Sequence, residues 1–219
     1  MPGWVGPVVS YSAQGLVSTI TMSLITVAAS LVVGILFGAL VTLPLGIVRW
    51  LVRIYVEVWR GLPLLITLFF VFFALPAVNI RLSPFVAAVI GLSLWASANV
   101  AEIVRGAVQS IPAGQFQASN ALGFNWTQTM AYVILPQSVR RMLPPMVGLL
   151  ANLIQSSALA AVVGAFELLQ SARRSIERLT VETGNSEAIP ILMAVLLVYF
   201  LLCFPLSRMS NRMERSLAV

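Results

Sequence analysis

The sequence predicts an all-α integral membrane protein with five transmembrane helices and a short cytoplasmic helix between the third and fourth spans. Apolar residues make up 59% of the chain and charged residues 9%, whereas soluble domains carry about 25% charged residues. The apolar residues fall into runs long enough to cross a bilayer, which takes about 20 residues for a hydrocarbon core of about 30 Å. One long stretch between two of these runs is charge-free yet rich in amides, and it predicts the short helix outside the membrane.

The predicted spans are charge-poor segments separated by arginines or by polar stretches. The first lies within the charge-free run that ends before Arg49. It contains Gly34 and Gly38, a spacing that predicts close packing against another helix. The second span is expected to begin a turn or two before residue 61. The five predicted ranges are 15–48, 61–75, 84–101, 142–166 and 188–207.

The arginines predict the orientation of the chain, because short cytoplasmic loops carry an excess of positive residues. With an odd number of spans, the two termini lie on opposite sides of the membrane. An amino terminus outside places nine of the 13 arginines on the inner side. These nine are Arg49, Arg53, Arg60, Arg105, Arg140, Arg141, Arg208, Arg212 and Arg215, and the outer four are Arg81, Arg173, Arg174 and Arg178. We therefore expect the amino terminus outside and the carboxyl terminus in the cytoplasm.

The residue types that the sequence lacks exclude several kinds of active and metal-binding sites. The sequence has no histidine, lysine or aspartate, and Cys203 is its single cysteine. A Ser-His-Asp triad, a histidine-rich metal site and the lysine of a Walker A loop are therefore excluded. We expect no catalytic residue, no metal site and no cofactor in this chain, so ATP and Mg²⁺ would have to bind to another polypeptide. The net charge of +6 is explained by membrane orientation rather than by nucleic-acid binding.

A polar segment over about residues 110–137 separates the third and fourth predicted spans. If the segment lay in the hydrocarbon core, each of its glutamines and asparagines would need a hydrogen-bond partner there. We therefore expect the segment in water or against protein, on the cytoplasmic side. Pro112 breaks the preceding helix, residues 118–122 favour a short new one, and Gly123 can end it.

Short motifs in a fixed order carry a family resemblance that covers roughly residues 15–216. They are Arg60-Gly61-Leu62-Pro63-Leu64-Leu65, Ala101-Glu102-Ile103-Val104-Arg105-Gly106, Gln117-Ala118-Ser119 with Gly123 and Ile134-Leu135-Pro136, and Arg212-Met213-Glu214-Arg215. The chain resembles the permease subunits of polar amino acid ABC importers of the histidine, glutamine, glutamate and arginine type. Residues 1–219 would then form a single importer transmembrane domain with its core at 15–208.

The resemblance implies a multi-pass permease of a bacterial cytoplasmic (inner) membrane that moves a polar amino acid at the expense of ATP. It implies a cytoplasmic ABC ATPase dimer, a second permease subunit that is identical or homologous, and an extracytoplasmic amino acid binding protein, besides membrane lipid. The neutral Gln155 favours an acidic or amide amino acid. The alternative is a stand-alone channel or secondary carrier for a small polar solute, but the intramembrane ionisable residues or inverted repeat typical of carriers are not found.

The segment around residues 117–123 is the predicted docking site for the ATPase. Small, uncharged side chains would let the groove of another protein approach closely, with Phe116 as an apolar anchor. Gln117 stands where the family usually has a glutamate. The neutral side chain argues against a charged contact to the ATPase at this position. An amphipathic connector on the membrane surface is the alternative. The predicted docking residues are Phe116, Gln117, Ala118, Ser119, Ala121, Leu122, Gly123 and Pro136.

Polar residues within the fourth span are the candidates for the transport path. Gln155, Ser156 and Ser157 stand in the middle of an apolar run, which is a costly place for polar groups. One interpretation is that these residues line the transport path. The alternative is a structural role, in which they help the helices to pack. The resembling permeases carry an acidic residue where this chain has Gln155. Asn99 on the third span is a further candidate.

Glu102 and Arg105 lie three residues apart on one helical face, where the third span leaves the membrane. This spacing predicts an ion pair within the helix. A contact that holds the span to the loop below is the alternative.

Overall fold

The computed structural model describes residues 3–217, which form helices without any strand. Four helices are long and apolar enough to cross a membrane, and a bent pair of helices makes a fifth span if it counts as one. The predicted fold class is therefore confirmed. The helices, in chain order, are α1 (Val5–Thr42), α2 (Gly46–Gly61), α3 (Leu64–Val78), α4 (Pro84–Gln109), α5 (Ala113–Ala121), α6 (Trp126–Val163), α7 (Leu168–Thr183) and α8 (Ala188–Leu217).

The second span differs from its prediction at its amino-terminal end. The chain bends by 103° between α2 and α3, so the residues before the break belong to a separate helix. Proline disfavours a helical conformation in the residue before it. Leu62, which precedes Pro63, is extended with ψ 136°, and the span starts only at Leu64.

Helix α2 is amphipathic and has the character of a helix that lies along a membrane surface. Val52 and Val56 are buried in a cluster that includes Val41 of α1 and Ala101 of α4. A second face is apolar and exposed, and a third carries the charged side chains. The exposed apolar residues are Ile47, Trp50, Leu51, Ile54 and Val58.

Helix α6 begins earlier than predicted and absorbs the end of the expected loop. Asn125 and Gln128 form a reciprocal capping box that starts the helix at Trp126. Pro136 has no N–H to donate inside the helix. The chain accommodates it by a wider, π-helical turn just before it, in which the Leu135 N–H bonds to the carbonyl of Met130. The loop on the α5 side therefore ends at Asn125.

The connection between α6 and α8 contains a helix that the sequence analysis missed. Helix α7 buries Leu168, Ala172 and Leu179 along one face. These residues pack in a cluster with Leu16 of α1 and Val195 of α8. Its other face carries arginines and glutamates, and this dense charge pattern obscured the helix in the sequence.

The closest contact in the fold joins α1 to α4. A Cβ atom on Gly34 would lie 2.4 Å from Cβ of Val100, and one on Gly38 would lie 2.5 Å from Cβ of Val104. Both distances are far below van der Waals contact, so only glycine allows this approach. The predicted close packing at Gly34 and Gly38 is confirmed.

Two Gly→Ala changes, one inside this contact and one outside it, should have opposite effects on stability. Gly34→Ala should destabilise the protein by about 1–3 kcal/mol because the added methyl group overpacks the interface. Gly106→Ala is the matched control, since nothing lies within 4 Å of a Cβ there, and alanine favours a helix by up to about 1 kcal/mol. Thermal unfolding of the purified variants measures both effects. Equal midpoints for the two variants would contradict the proposed tight contact.

Candidate functional site

Helix α5 is the short helix that the sequence predicts between the third and fourth spans, although it starts at Ala113 rather than near residue 118. Its end is defined by paired backbone hydrogen bonds. The Phe124 N–H donates to Ser119 O at 3.1 Å, and the Gly123 N–H donates to Asn120 O at 3.0 Å. This Schellman arrangement needs a left-handed residue, and Gly123 supplies it with φ 79°.

Apolar packing fastens α5 to the spans. Phe116 packs against a buried cluster of Val108, Ile111, Met130 and Ile134, which belong to the end of α4, the link to α5 and the start of α6. Phe116 was predicted to anchor an external partner. Its side chain instead points to its own chain, because this cluster offers it an apolar environment.

Two polar contacts reinforce that attachment. The Gln137 amide donates to the Gln115 side chain at 3.3 Å. The Arg141 guanidinium donates to the Ser110 carbonyl at 2.7 Å and to its hydroxyl at 3.2 Å. Any displacement of α5 is therefore passed to α4 and α6 through direct contacts.

Of the eight predicted docking residues, five form an exposed group at α5, and Phe116, Ser119 and Pro136 lie outside that group. Ser119 is only 2% exposed and donates its hydroxyl to Gln115 O at 2.7 Å. Pro136 lies inside α6, ten residues beyond its start. Leu122 is 75% exposed, so the segment presents a large apolar side chain at its surface. The exposed group consists of Gln117, Ala118, Ala121, Leu122 and Gly123.

Glu102 and Arg105 form the predicted ion pair, with 2.7 Å between Arg105 Nε and Glu102 Oε2. Glu102 also lies 3.4 Å from Arg60, so the pair additionally joins α4 to the end of α2. Asn99 belongs to the same group, since its side chain accepts from Arg60 at 3.4 Å and donates to Trp95 O at 2.8 Å. The structure therefore places Asn99 at the α2–α4 junction.

The polar residues of α6 do not share one environment. Ser157 is fully buried and donates to Ile154 O at 2.7 Å, while Ser156 is half-buried. Gln155 is exposed, and so is Asn152 one turn earlier. Residues three apart share a helical face, so Asn152 and Gln155 form a polar patch within a span. The sequence analysis missed Asn152, although its spacing from Gln155 was a signal.

A buried carboxylate at the opposite end of the molecule was also missed. Glu167 is 0% exposed, caps α7, and accepts from the Leu169 N–H at 2.8 Å and the Gln170 N–H at 2.5 Å. The Tyr199 hydroxyl of α8 donates to it at 2.8 Å. Burial raises the pKa of this carboxyl, which lies between α6 and α7, and the three donors oppose that shift.

The same region is tied to α1. The Ser18 hydroxyl donates to Phe166 O at 2.7 Å, and the Leu168 N–H donates to the Thr19 hydroxyl at 3.0 Å. Gly15 lets the two segments touch, because a Cβ there would lie 2.8 Å from Glu167 O. Helices α1, α7 and α8 therefore meet around Glu167.

The fold is thus a bundle of four long apolar helices and a bent pair that can form a fifth span, with the short helix α5 packed across the ends of α4 and α6. This architecture is that of a membrane transport subunit. Residues 30–219 match the family described as binding-protein-dependent transport system inner membrane component, and the chain belongs to this family. It is accordingly a multi-pass inner-membrane permease subunit of an importer, rather than a catalytic subunit.

Curated relatives are similar over almost their whole length. The chain is 35% identical over 210 residues to the probable amino-acid ABC transporter permease protein YckA of Bacillus subtilis (strain 168), covering 95% of this chain and 89% of the relative. It is 34% identical over 215 residues to the glutamine transport system permease protein GlnP of Escherichia coli (strain K12), covering 97% and 95%. These similarities do not favour a stand-alone channel or secondary carrier.

Solved structures show the same fold. A crystal structure of an amino acid ABC transporter with histidines matches with a TM-score of 0.85 at 25% identity, over 95% of this chain and 94% of the other. The inward-facing MetNI methionine ABC transporter matches with a TM-score of 0.74 at 24% identity, over 96% and 98%. The second similarity concerns the fold alone.

The contacts of Glu167 predict a graded loss of stability. Glu167→Ala should cost at least about 2 kcal/mol because three donors lose their acceptor, and Tyr199→Phe should cost about 1 kcal/mol because one bond is lost. Glu177→Ala, at an exposed position of the same helix, should stay within about 0.5 kcal/mol. Thermal unfolding in detergent measures the series. A Glu167→Ala variant as stable as Glu177→Ala would show that the carboxylate contributes nothing to the fold.

Proposed function

We propose that this permease moves a polar amino acid with a neutral side chain, of the amide type, into the cell. The observation that carries the proposal is the exposed polar patch formed by Asn152 and Gln155 within span α6. Amide groups can donate and accept hydrogen bonds, which suits a side chain of the same kind. Relatives described as glutamine permeases, at 34% identity, support this choice.

The patch also supports a second permease subunit. An amide exposed to hydrocarbon would lack hydrogen-bond partners, so such groups face protein or a wet cavity. In the isolated chain both Asn152 and Gln155 are exposed. A second subunit, identical or homologous, would close this side and leave a path between the two. Ser156 lies at the edge of the patch, whereas Ser157 and Asn99 serve packing.

We further propose that a cytoplasmic ABC ATPase dimer docks on α5, one ATPase for each permease subunit. Ala118 and Ala121 leave room for a close approach, and Leu122 offers an exposed apolar side chain. ATP and Mg²⁺ would bind only to the ATPase. Closure of the ATPase would move α5, and the contacts of Phe116 and Arg141 would pass that movement to α4 and α6. An extracytoplasmic binding protein would deliver the amino acid at the opposite face.

The orientation follows from the same arrangement. With the amino terminus outside, α5 and nine arginines lie on the cytoplasmic side, and α7 lies outside. Both the excess of inner arginines and the position of the docking helix support this orientation.

Ala118→Arg should abolish uptake while leaving the subunit inserted in the membrane. The long side chain would hold the ATPase away from α5, whereas Ala118→Ser, the matched control, keeps the surface small and should transport normally. Co-purification of the ATPase and uptake in vesicles measure the two steps. Normal ATPase binding and normal uptake by Ala118→Arg would refute docking on α5. We avoid changes at Gly123 because its left-handed backbone would strain any other residue.

Asn152→Leu and Gln155→Leu should each insert normally but slow uptake by about tenfold or more, which corresponds to about 1.4 kcal/mol of lost interaction. Asn211→Leu is the control, since it removes an exposed amide near the end of α8. Gln155→Glu should shift competition uptake towards cationic amino acids and away from acidic ones. Wild-type rates and selectivity in all these variants would mean that the patch is a packing surface.

Two Ser→Cys variants test the orientation. Ser186 and Ser216 are both exposed, before α8 and near its end. An impermeant thiol reagent should label Ser186→Cys in intact cells, and Ser216→Cys only after the membrane is opened. The native Cys203 is buried and should give little background. The reverse labelling pattern would place α5 outside the cell and exclude a cytoplasmic ATPase there.

A further inference from the structure

A basic cavity of about 220 Å³ lies where α1, α2, α4, α5 and α6 meet. It opens beside the last turn of α1, close to where that span leaves the hydrocarbon. Its wall combines arginines from α2 and α4 with aromatic side chains of α5 and α6. The residues that matter here are Arg49, Arg53, Arg105, Gln109, Phe116 and Trp126.

The cavity carries an uncompensated positive charge. Three guanidinium groups line it, and no carboxylate does among the residues that the structure describes. Arg105 is paired with Glu102. Arg49 donates to the Leu43 carbonyl at 2.9 Å, and neither Arg49 nor Arg53 forms an ion pair within residues 3–217. An anion with several acceptor oxygens would satisfy these donors.

A neighbouring cavity of about 260 Å³ contains carboxylates as well as arginines. It shares Arg53 and Arg105 with the first cavity and also contains Glu57 and Glu102. In it Glu102 pairs with Arg60 and Arg105. The positive excess is concentrated in the first cavity, on the side of α5.

The position of α2 identifies the source of the anion. Ile47 is 78% exposed, and Trp50 and Leu51 are exposed beside it, so this apolar stripe would lie among the outer parts of the acyl chains. The guanidinium groups of Arg49 and Arg53 would then lie at the depth of the lipid phosphates. Basic pockets between membrane helices on the cytoplasmic side suit anionic head groups.

We propose that this cavity binds the phosphate of an anionic phospholipid from the leaflet on the α5 side. The lipid phosphate bridges Arg49 and Arg53 of α2 to Arg105 of α4, and its acyl chains follow the apolar stripe of α2. Phe116 and Trp126 form part of the same wall. The bound lipid therefore stabilises the position of α5 relative to α2. The inference rests on α2 lying at the membrane surface and is independent of the transported amino acid.

Native mass spectrometry of the full chain, purified in a mild detergent, tests the proposal. Phosphatidylglycerol and phosphatidylcholine are added in equal amounts, and the retained lipid is counted. Wild type should retain phosphatidylglycerol selectively. Arg53→Gln should lower its apparent affinity about fivefold, and Arg49→Gln with Arg53→Gln should lower it about 25-fold, since each arginine near a lipid surface contributes about that factor. Arg212→Gln, an exposed arginine near the end of α8, is the matched control.

The outcomes separate the lipid from other anions. Equal loss of phosphatidylglycerol in Arg53→Gln and Arg212→Gln, or no loss in either, would overturn the proposal. Displacement of the lipid by millimolar inorganic phosphate would assign the cavity to a soluble anion and equally overturn it. If Arg53→Gln keeps its lipid but loses the co-purified ATPase, then an acidic side chain of that partner occupies the cavity instead. Thermal unfolding of each variant shows whether a loss reflects misfolding.

Discussion

The absence of water in the bilayer core means that every polar group at that depth must find its partner in protein, and this constraint explains the main features of the structure. The same rule holds for Glu167, which is buried between α6 and α7, because two backbone N–H groups and the Tyr199 hydroxyl donate to it. Ser157 bonds back to its own helix. Asn152 and Gln155 are the exception within their span, because they remain exposed. Their exposure is the reason for expecting a second subunit and a wet path.

Proline and glycine decide where the helices break and how closely they pack. The break at Pro63 lets α2 lie across the bundle with its arginines near the surface, while α3 enters the apolar region. In α6 the lost hydrogen bond of Pro136 is absorbed by a wider turn, so the helix continues through the bilayer. Close approach at Gly34 and Gly38 holds α1 on α4. Together these contacts provide a rigid support for α5.

A small helix can move large spans only if the contacts between them are stiff. Phe116 is held by a buried cluster drawn from both neighbouring spans, and Arg141 bonds to the chain just before α5. Close-packed interiors transmit displacement rather than absorb it. The basic cavity adjoins this linkage through Phe116. A lipid bound there would therefore act on α5, the helix that we propose as the docking site of the ATPase.

The sequence by itself determined the fold class, the number and order of the apolar segments, the close glycine contact and the short helix ended by Gly123, because these depend on local hydropathy and backbone preference. It did not determine where the second and fourth spans begin. It also indicated Gln155, since a polar residue in an apolar run is visible without a structure. Only the tertiary structure decided that Phe116 and Ser119 face inward, that Asn99 bonds to Arg60, and that Glu167 is buried. Each of these depends on which distant helix lies opposite, as when Tyr199 meets Glu167 across 32 residues. Local pattern carries no information about such a neighbour.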